Sequence, residues 1–91
     1  MHDWTLVDIL VRWKEATAVV SLVDGSSAVR EIRCAGVNKV SVSRDLPWGP
    51  SNSVLEFKGP RSSGGQGMQI VIEMQSGDLV EIVAQSFDLP S

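Results

Sequence analysis

Few residues of this sequence carry side chains that could support acid–base, nucleophilic or metal chemistry. His2 is the only histidine and Cys34 the only cysteine among 91 residues. A Ser/His/Asp triad would have to use His2, which is followed by Asp3. A structural zinc site of the Cys/His type needs four ligands, which one Cys and one His cannot supply. These counts predict a protein that is not an enzyme and that uses no metal and no cofactor.

The run Gly64-Gly65-Gln66-Gly67 is the closest approach to a phosphate-binding loop. Such a loop needs converging backbone N–H groups and a helix that starts directly after it. Here the glycines lead into Met68–Met74, which has the pattern of a strand, and no Lys-Ser or Lys-Thr pair follows. The run therefore favours a flexible hairpin loop.

Trp48 is held between Pro47 and Gly49-Pro50. A rigid Trp on a long loop is suited to anchor a binding partner, because Trp often dominates interface energetics. With three Trp, two Phe and no Tyr, the core also needs its large side chains, and Trp48 could cap it. Both interpretations remain open at this point.

The charge distribution bears on the kind of partner. The formal net charge is −3, and residues 68–91 contain Glu73, Asp78, Glu81 and Asp88 without any Lys or Arg. An acidic surface argues against nucleic acid, which requires a basic footprint. Solubility alone would explain the acidity, and a basic protein partner is the alternative. The residues predicted to bind a partner are Trp48, Glu73, Asp78 and Glu81.

Length and hydropathy define the class of protein. A chain of 91 residues is predicted to form a single domain over 1–91. No stretch approaches the roughly 20 apolar residues of a membrane span, so no membrane contact is expected. The N-terminus lacks the basic region and apolar core of a signal peptide, which favours the cytoplasm. With one cysteine, no disulfide can form within the chain.

The hydrophobic pattern predicts an all-β, antiparallel chain with little or no helix. About seven strands are expected, arranged as a sandwich or as a curled sheet packed on itself. Gly36 permits a bend between the third and the fourth. The predicted strands are Trp4–Trp13, Thr17–Val23, Ala28–Ala35, Val37–Ser43, Ser53–Lys58, Met68–Met74 and Leu79–Val83.

The last two strands are predicted to form a hairpin around Ser76-Gly77-Asp78, with Gly77 in the left-handed conformation. A three-residue loop at this place would pair Ile72 with Ile82 on the buried face. Its cost would be Glu73 opposite Glu81 on the other face. The same register gives two further buried pairs, Met74 with Val80 and Ile70 with Ala84.

The first predicted strand carries Asp8 and Arg12 on the same face as Leu6 and Leu10. An exposed charged pair would discourage edge-to-edge pairing, and a buried pair is the alternative. Cys34 is expected to behave as a small buried hydrophobe.

Three short segments suggest a family. The sequences His2-Asp3-Trp4, Pro47-Trp48-Gly49-Pro50-Ser51 and Glu73-Met74-Gln75-Ser76-Gly77-Asp78 resemble those of a family of small bacterial domains without an established activity. In size, acidity and β-rich layout the chain is also similar to some immunity proteins of bacterial toxin systems. The resemblance implies a shared fold and transfers no catalytic residue.

The expected function is non-catalytic binding of another protein, as in an immunity or accessory protein. Two alternatives belong to other classes. One is a small-ligand-binding β module, and the other is a structural domain that self-associates through an edge strand.

Overall fold

The computed structural model describes residues 4–43, 53–62 and 67–90. These residues form six antiparallel strands in one sheet, in the order β1-β2-β3-β6-β5-β4, and no helix. The prediction of an all-β, antiparallel chain is confirmed. The strands are β1 (Thr5–Arg12), β2 (Thr17–Val23), β3 (Val29–Val42), β4 (Val54–Ser62), β5 (Met68–Met74) and β6 (Leu79–Asp88).

Two of the seven predicted strands are one strand in the structure, because β3 continues through Gly36. Gly36 has a φ of 66°, and a Cβ at this position would lie 2.5 Å from Cγ of Gln85 on β6. Cys34 and Val37, three residues apart, are both buried, so the alternation of faces slips by one residue here. Glycine thus lets the strand bend over its neighbour without ending. The prediction of two separate strands here was wrong, and a total of seven strands is not confirmed.

The long strand β3 joins two halves of the sheet. Residues 29–35 of β3 pair with β2, and residues 33–42 pair with β6, so residues 33–35 are paired on both sides. The two edge strands of the sheet, β1 and β4, also touch each other. Thr5 forms an isolated bridge with Ser53, and the Val54 N–H donates to the Trp4 carbonyl at 2.7 Å. The two edge strands therefore meet at one end, and the described strands form one curled sheet. A sandwich of two sheets is not confirmed.

The core lies on the inner face of this curled sheet. In β2 and β5 every second side chain is buried, as expected for strands with one face toward the core. Strands from both halves contribute to a single cluster. Its buried members are Ala18, Val20, Leu22, Ile32, Cys34, Val37, Val54, Ile70, Ile72, Met74, Val80, Ile82 and Ala84.

Strand β1 contains a bulge that the sequence pattern did not reveal. The pairing with β2 shifts between Leu6 and Asp8, so Val7 is the extra residue. Leu6 therefore lies opposite Leu22 on the inner face, whereas Asp8, like Arg12, is exposed on the outer face. The predicted shared face of Leu6 and Asp8 was wrong, and the charged residues do not form a buried pair.

The β5–β6 hairpin forms as predicted, with a different register. Its loop is Gln75-Ser76-Gly77, because the Met74 N–H donates to the Asp78 carbonyl at 2.8 Å and the Gly77 N–H donates to the Met74 carbonyl at 2.9 Å. Gly77 has a φ of 96°, which confirms its left-handed conformation.

The consequence is a shift of every predicted pair. Ile72 lies opposite Val80 and Ile70 opposite Ile82, so the predicted partners were wrong although the buried face was right. The predicted pair of Glu73 and Glu81 does not form either, because Glu73 lies opposite Leu79. A pair of like charges is thereby avoided within this hairpin.

The turn between β2 and β3 is organised by Asp24. Its carboxylate accepts hydrogen bonds from the backbone N–H groups of Ser26, at 2.8 Å, and Ala28, at 3.0 Å. It also pairs with the Arg30 guanidinium, with Nε at 2.9 Å from Oδ2. The hydrogen bond from Arg30, followed by those from Ala28 and Ser26, lowers the pKa of Asp24 below its usual value of 3.8.

Ile72 tests the packing of the curled sheet. Its side chain is fully buried and is flanked by Phe57 on β4 and Val80 on β6. We expect Ile72→Ala to lower the free energy of unfolding by about 2–5 kcal/mol, measured by denaturant titration. Val29→Ala, at an exposed position, is the control and should cost less than about 0.5 kcal/mol. Equal losses in both variants would contradict the assignment of the buried face.

Asp24 makes the free energy of unfolding depend on pH. Because its pKa is lowered in the folded state, its contribution is present above the usual carboxyl pKa and is lost as the pH falls through the lowered value. The difference in unfolding free energy between the wild type and Asp24→Asn should therefore be largest at neutral pH and shrink below about pH 4. A difference that stays constant during acidification would show that the charge of Asp24 is not what stabilises the turn.

Candidate functional site

Three glutamates gather on the outer surface of β4, β5 and β6. The β4–β5 register places Glu56 directly opposite Glu73. In the β5–β6 register Glu81 lies opposite Val71, which makes it a diagonal neighbour of Glu73. We call Glu56, Glu73 and Glu81 the acidic face. The structure thus brings two of the predicted partner-binding residues together and adds a third.

The carboxylates of the acidic face are only partly neutralised. Nζ of Lys58 lies 3.8 Å from Oε2 of Glu56, and both side chains are about half exposed to solvent. Glu73 and Glu81 form no ion pair with any other residue of the described segments. Like charges placed directly opposite each other destabilise a sheet, so the pair of Glu56 and Glu73 does not serve stability.

Apolar side chains lie between these carboxylates. Leu79, opposite Glu73, is 38% exposed, and Val71, opposite Glu81, is half-buried. The surface therefore offers hydrogen-bond acceptors and apolar area side by side. Carboxylates accept hydrogen bonds from Lys and Arg, and the methylene stems of these residues can cover the apolar positions between.

Asp78, a third predicted partner-binding residue, is only 7% exposed. Its Oδ2 accepts a hydrogen bond from the Ser76 hydroxyl at 2.9 Å, and its Oδ1 accepts one from the Ser43 hydroxyl at 3.3 Å. The same Ser43 oxygen accepts from the Leu79 N–H at 3.1 Å. Both oxygens of this carboxylate are thus hydrogen-bonded to the turn and to the residue after β3, so Asp78 is not part of the acidic face.

Several residues singled out in the sequence lie outside the described segments. Trp48, the fourth predicted partner-binding residue, is one of them, and its two interpretations stay predictions. The others are His2 and Asp3, with the first three residues of the Gly64-Gly65-Gln66-Gly67 run. Within the described segments, no group of three His, Cys, Asp or Glu side chains is placed to hold a metal ion.

Glu56 was missed at the sequence level for a physical reason. The pairing of β4 with β5 shifts between Val54 and Glu56, which makes Leu55 an extra residue, and shifts again between Lys58 and Arg61. The alternation of apolar and polar residues in the sequence does not predict such bulges. The acidity of β5 and β6 was visible in the sequence, but its extension onto β4 required the register.

An open groove of about 340 Å³ lies where β3 and the end of β6 diverge. Its volume falls within the range of small-molecule sites, so it is compatible with the alternative of a small-ligand-binding β module. Its cationic groups are already engaged, because Arg30 pairs with Asp24 and Arg33 pairs with Glu31 at 3.0 Å. The lining residues are Val29, Arg30, Glu31, Arg33, Asp88, Leu89 and Pro90.

Comparison with known proteins identifies no relative of this chain. Neither family models nor curated proteins nor solved structures match this chain. The resemblance to small bacterial domains and to immunity proteins therefore stays a prediction. Across the segments that the structure describes, no helix is long and apolar enough to cross a membrane.

Cys34 is a buried free thiol, as the sequence predicted. It is 3% exposed and lies on the inner face opposite Ala18 on one side and Phe87 on the other. Burial raises the pKa of the thiol to about 11, because the charged thiolate is disfavoured away from water. A thiol in this position packs as a hydrophobe and is a poor nucleophile.

This thiol should be protected from modification. At about pH 8 a thiol with a pKa near 11 is about one part in a thousand thiolate, against about a quarter for an ordinary cysteine. We expect an aromatic disulfide reagent to label the native protein far more slowly than the protein in denaturant. Labelling of the native protein at the rate of a free cysteine would contradict the placement of Cys34 in the core.

Proposed function

We propose that this chain is a non-catalytic protein-binding domain whose acidic face contacts a basic surface of another protein. An immunity or accessory protein of the cytoplasm is the class that fits this role. The supporting observation is the pairing of Glu56 directly opposite Glu73, with Glu81 diagonal to it. This arrangement costs stability in the free chain, and a cationic partner would offset that cost.

The geometry favours a protein over a small cation. Directly opposed side chains have Cβ atoms about 5 Å apart, and diagonal ones about 7–8 Å apart. Three carboxylates at these spacings suit two or three Lys or Arg side chains from one segment. Since all three are carried by paired strands, little backbone entropy is lost on binding.

The charges also shape the kinetics of association. A patch of one sign attracts a partner of the opposite sign and raises the association rate, an effect that salt screens. The exposed area of Leu79 then adds apolar contact once the partner is docked. If Trp48 is an anchor, it would add a second contact, and if it is a cap, binding would rest on the acidic face.

The acidic face is tested by removing its charge without changing its shape. The variant Glu56→Gln/Glu73→Gln/Glu81→Gln should lose a partner that the wild type captures from an extract of the source organism. With the purified partner, affinity should fall by roughly five- to 150-fold, as expected when three exposed charge pairs are lost. Raising the ionic strength should weaken wild-type binding more than binding by the variant.

A matched control neutralises three exposed carboxylates elsewhere on the chain. Glu15→Gln/Glu31→Gln/Asp88→Asn changes the net charge by the same amount and leaves the acidic face intact. It should bind the purified partner as the wild type does. Equal losses in both variants would show that only the overall charge matters, and unchanged binding in the acidic-face variant would refute the proposed surface.

A further inference from the structure

Among the described residues, strand β1 is paired along the length of one edge only. It pairs with β2 along one side, and its other side meets β4 only through the Thr5–Ser53 bridge and the Trp4–Val54 hydrogen bond. Beyond these contacts no strand of the described segments pairs with it. An open edge presents backbone N–H and C=O groups to any extended chain that can align with them.

The side chains along this edge are apolar and exposed. Val7 is 57% exposed, Leu10 50%, Val11 39% and Trp13, in the following turn, 78%. Natural edge strands are commonly protected by charged side chains, especially lysines, by prolines, by bulges or by short length. Asp8 and Arg12 oppose edge pairing in most registers and permit it only where each faces the opposite charge. The eight residues of β1 contain no Lys and no Pro. Its bulge at Val7 precedes the segment from Asp8 to Arg12 and leaves that segment regular.

The two charges of β1 are placed symmetrically about Leu10. Asp8 and Arg12 lie two residues before and after it, on the same outer face. They are four residues apart, or about 13 Å along a strand, which is too far for a direct ion pair. Neither forms an ion pair with another residue of the described segments. A second β1 running antiparallel and centred on Leu10 would place each Asp8 opposite an Arg12.

From this self-complementarity we propose that two copies of the chain pair through β1 and form a two-fold symmetric dimer with one continuous sheet. In the register centred on Leu10, each Ile9 lies opposite Val11 on the inner face. Residues that face each other in this register are both even-numbered or both odd-numbered. The free N–H and C=O groups of the two copies therefore meet, whichever alternate residues present them.

Neighbouring registers lack this match. Centring the pair on Ile9 would place Asp8 opposite Leu10 and Arg12 opposite Leu6. Centring it on Val11 would place Arg12 opposite Leu10 and Asp8 opposite Lys14, which lies in the turn beyond β1. Only the register centred on Leu10 pairs both charges within the strand, so charge complementarity selects the register as well as the partner. The surface is separate from the acidic face, and this inference does not depend on the proposed function.

Sedimentation analysis over about three decades of protein concentration tests the dimer. A seam of two short strands is smaller than a standard interface of roughly 1,200–2,000 Å², so a concentration-dependent monomer–dimer equilibrium is expected. Asp8→Arg and Arg12→Asp, made separately, would each place like charges opposite each other twice. Each should weaken the dimer by about tenfold or more.

Charge reversal then distinguishes pairing from general damage. The double variant Asp8→Arg/Arg12→Asp should regain wild-type association, because opposite charges face each other again. An equimolar mixture of the two single variants should form a heterodimer, although neither variant alone forms a homodimer of wild-type strength. Recovery in the double variant requires that positions 8 and 12 face each other, as they do in the register centred on Leu10. The mixture shows that opposite charges on the two strands promote association.

Two further variants separate the edge from exposed apolar surface in general. Leu10→Lys would place two lysines opposite each other and should abolish the dimer. Val29→Lys, at a position that is 70% exposed on β3, should leave it intact. A wild-type chain that stays monomeric at every concentration overturns the proposal. So does a double variant that fails to associate while its circular dichroism shows the wild-type fold.

Discussion

The fold depends on one constraint, which is that a single sheet must bury its apolar face against itself. The structure shows no second described layer and no helix to cover the inner face. The sheet therefore has to curl until residues from its two halves share one cluster. The bend at Gly36 and the contact between Thr5 and Ser53 are the two places where this closure is visible. The core depends on this closure, because a flat sheet would leave its apolar residues in water.

The sequence predicted the strands that have simple alternation and failed where the curl interrupts it. The bounds of β2 and β5 matched the structure, since both keep one face in the core without a break. The errors lie at the bulges at Val7 and Leu55, where an extra residue exchanges the two faces, and at the bend at Gly36. A curled sheet needs such irregularities. The glycine at position 36 marked the bend in the sequence, whereas the positions of the bulges at Val7 and Leu55 follow from three-dimensional closure, which local sequence does not encode.

The residues of the candidate site could be predicted where they lie on regularly alternating strands, and could not be predicted where a bulge places them. Glu73 and Glu81 could be found from the acidity of the last strands, because they lie in segments with clear alternation. Their neighbour Glu56 could not, since its place depends on the bulge in β4. Asp78 illustrates the opposite case, in which a charged residue of a turn is drawn inward by the hydroxyls of Ser43 and Ser76. Charge alone therefore did not distinguish a surface carboxylate from a structural one.

Incomplete closure of the sheet also explains why the chain has two separate candidate binding surfaces, the second edge of β1 and the acidic face. Among the described residues the edge strands meet at one end only, and no described strand pairs with the second edge of β1 beyond that point. The outer face of β4, β5 and β6 belongs to the other half of the sheet. A partner on the acidic face would not cover β1, and a second copy on β1 would not cover the acidic face. Pairing through β1 would give an assembly with two acidic faces related by the two-fold axis. Two linked faces can bind a partner with two basic sites more tightly than one face can, provided that the spacing allows both to engage. A dimer formed through β1 would thus couple the two acidic faces through geometry alone.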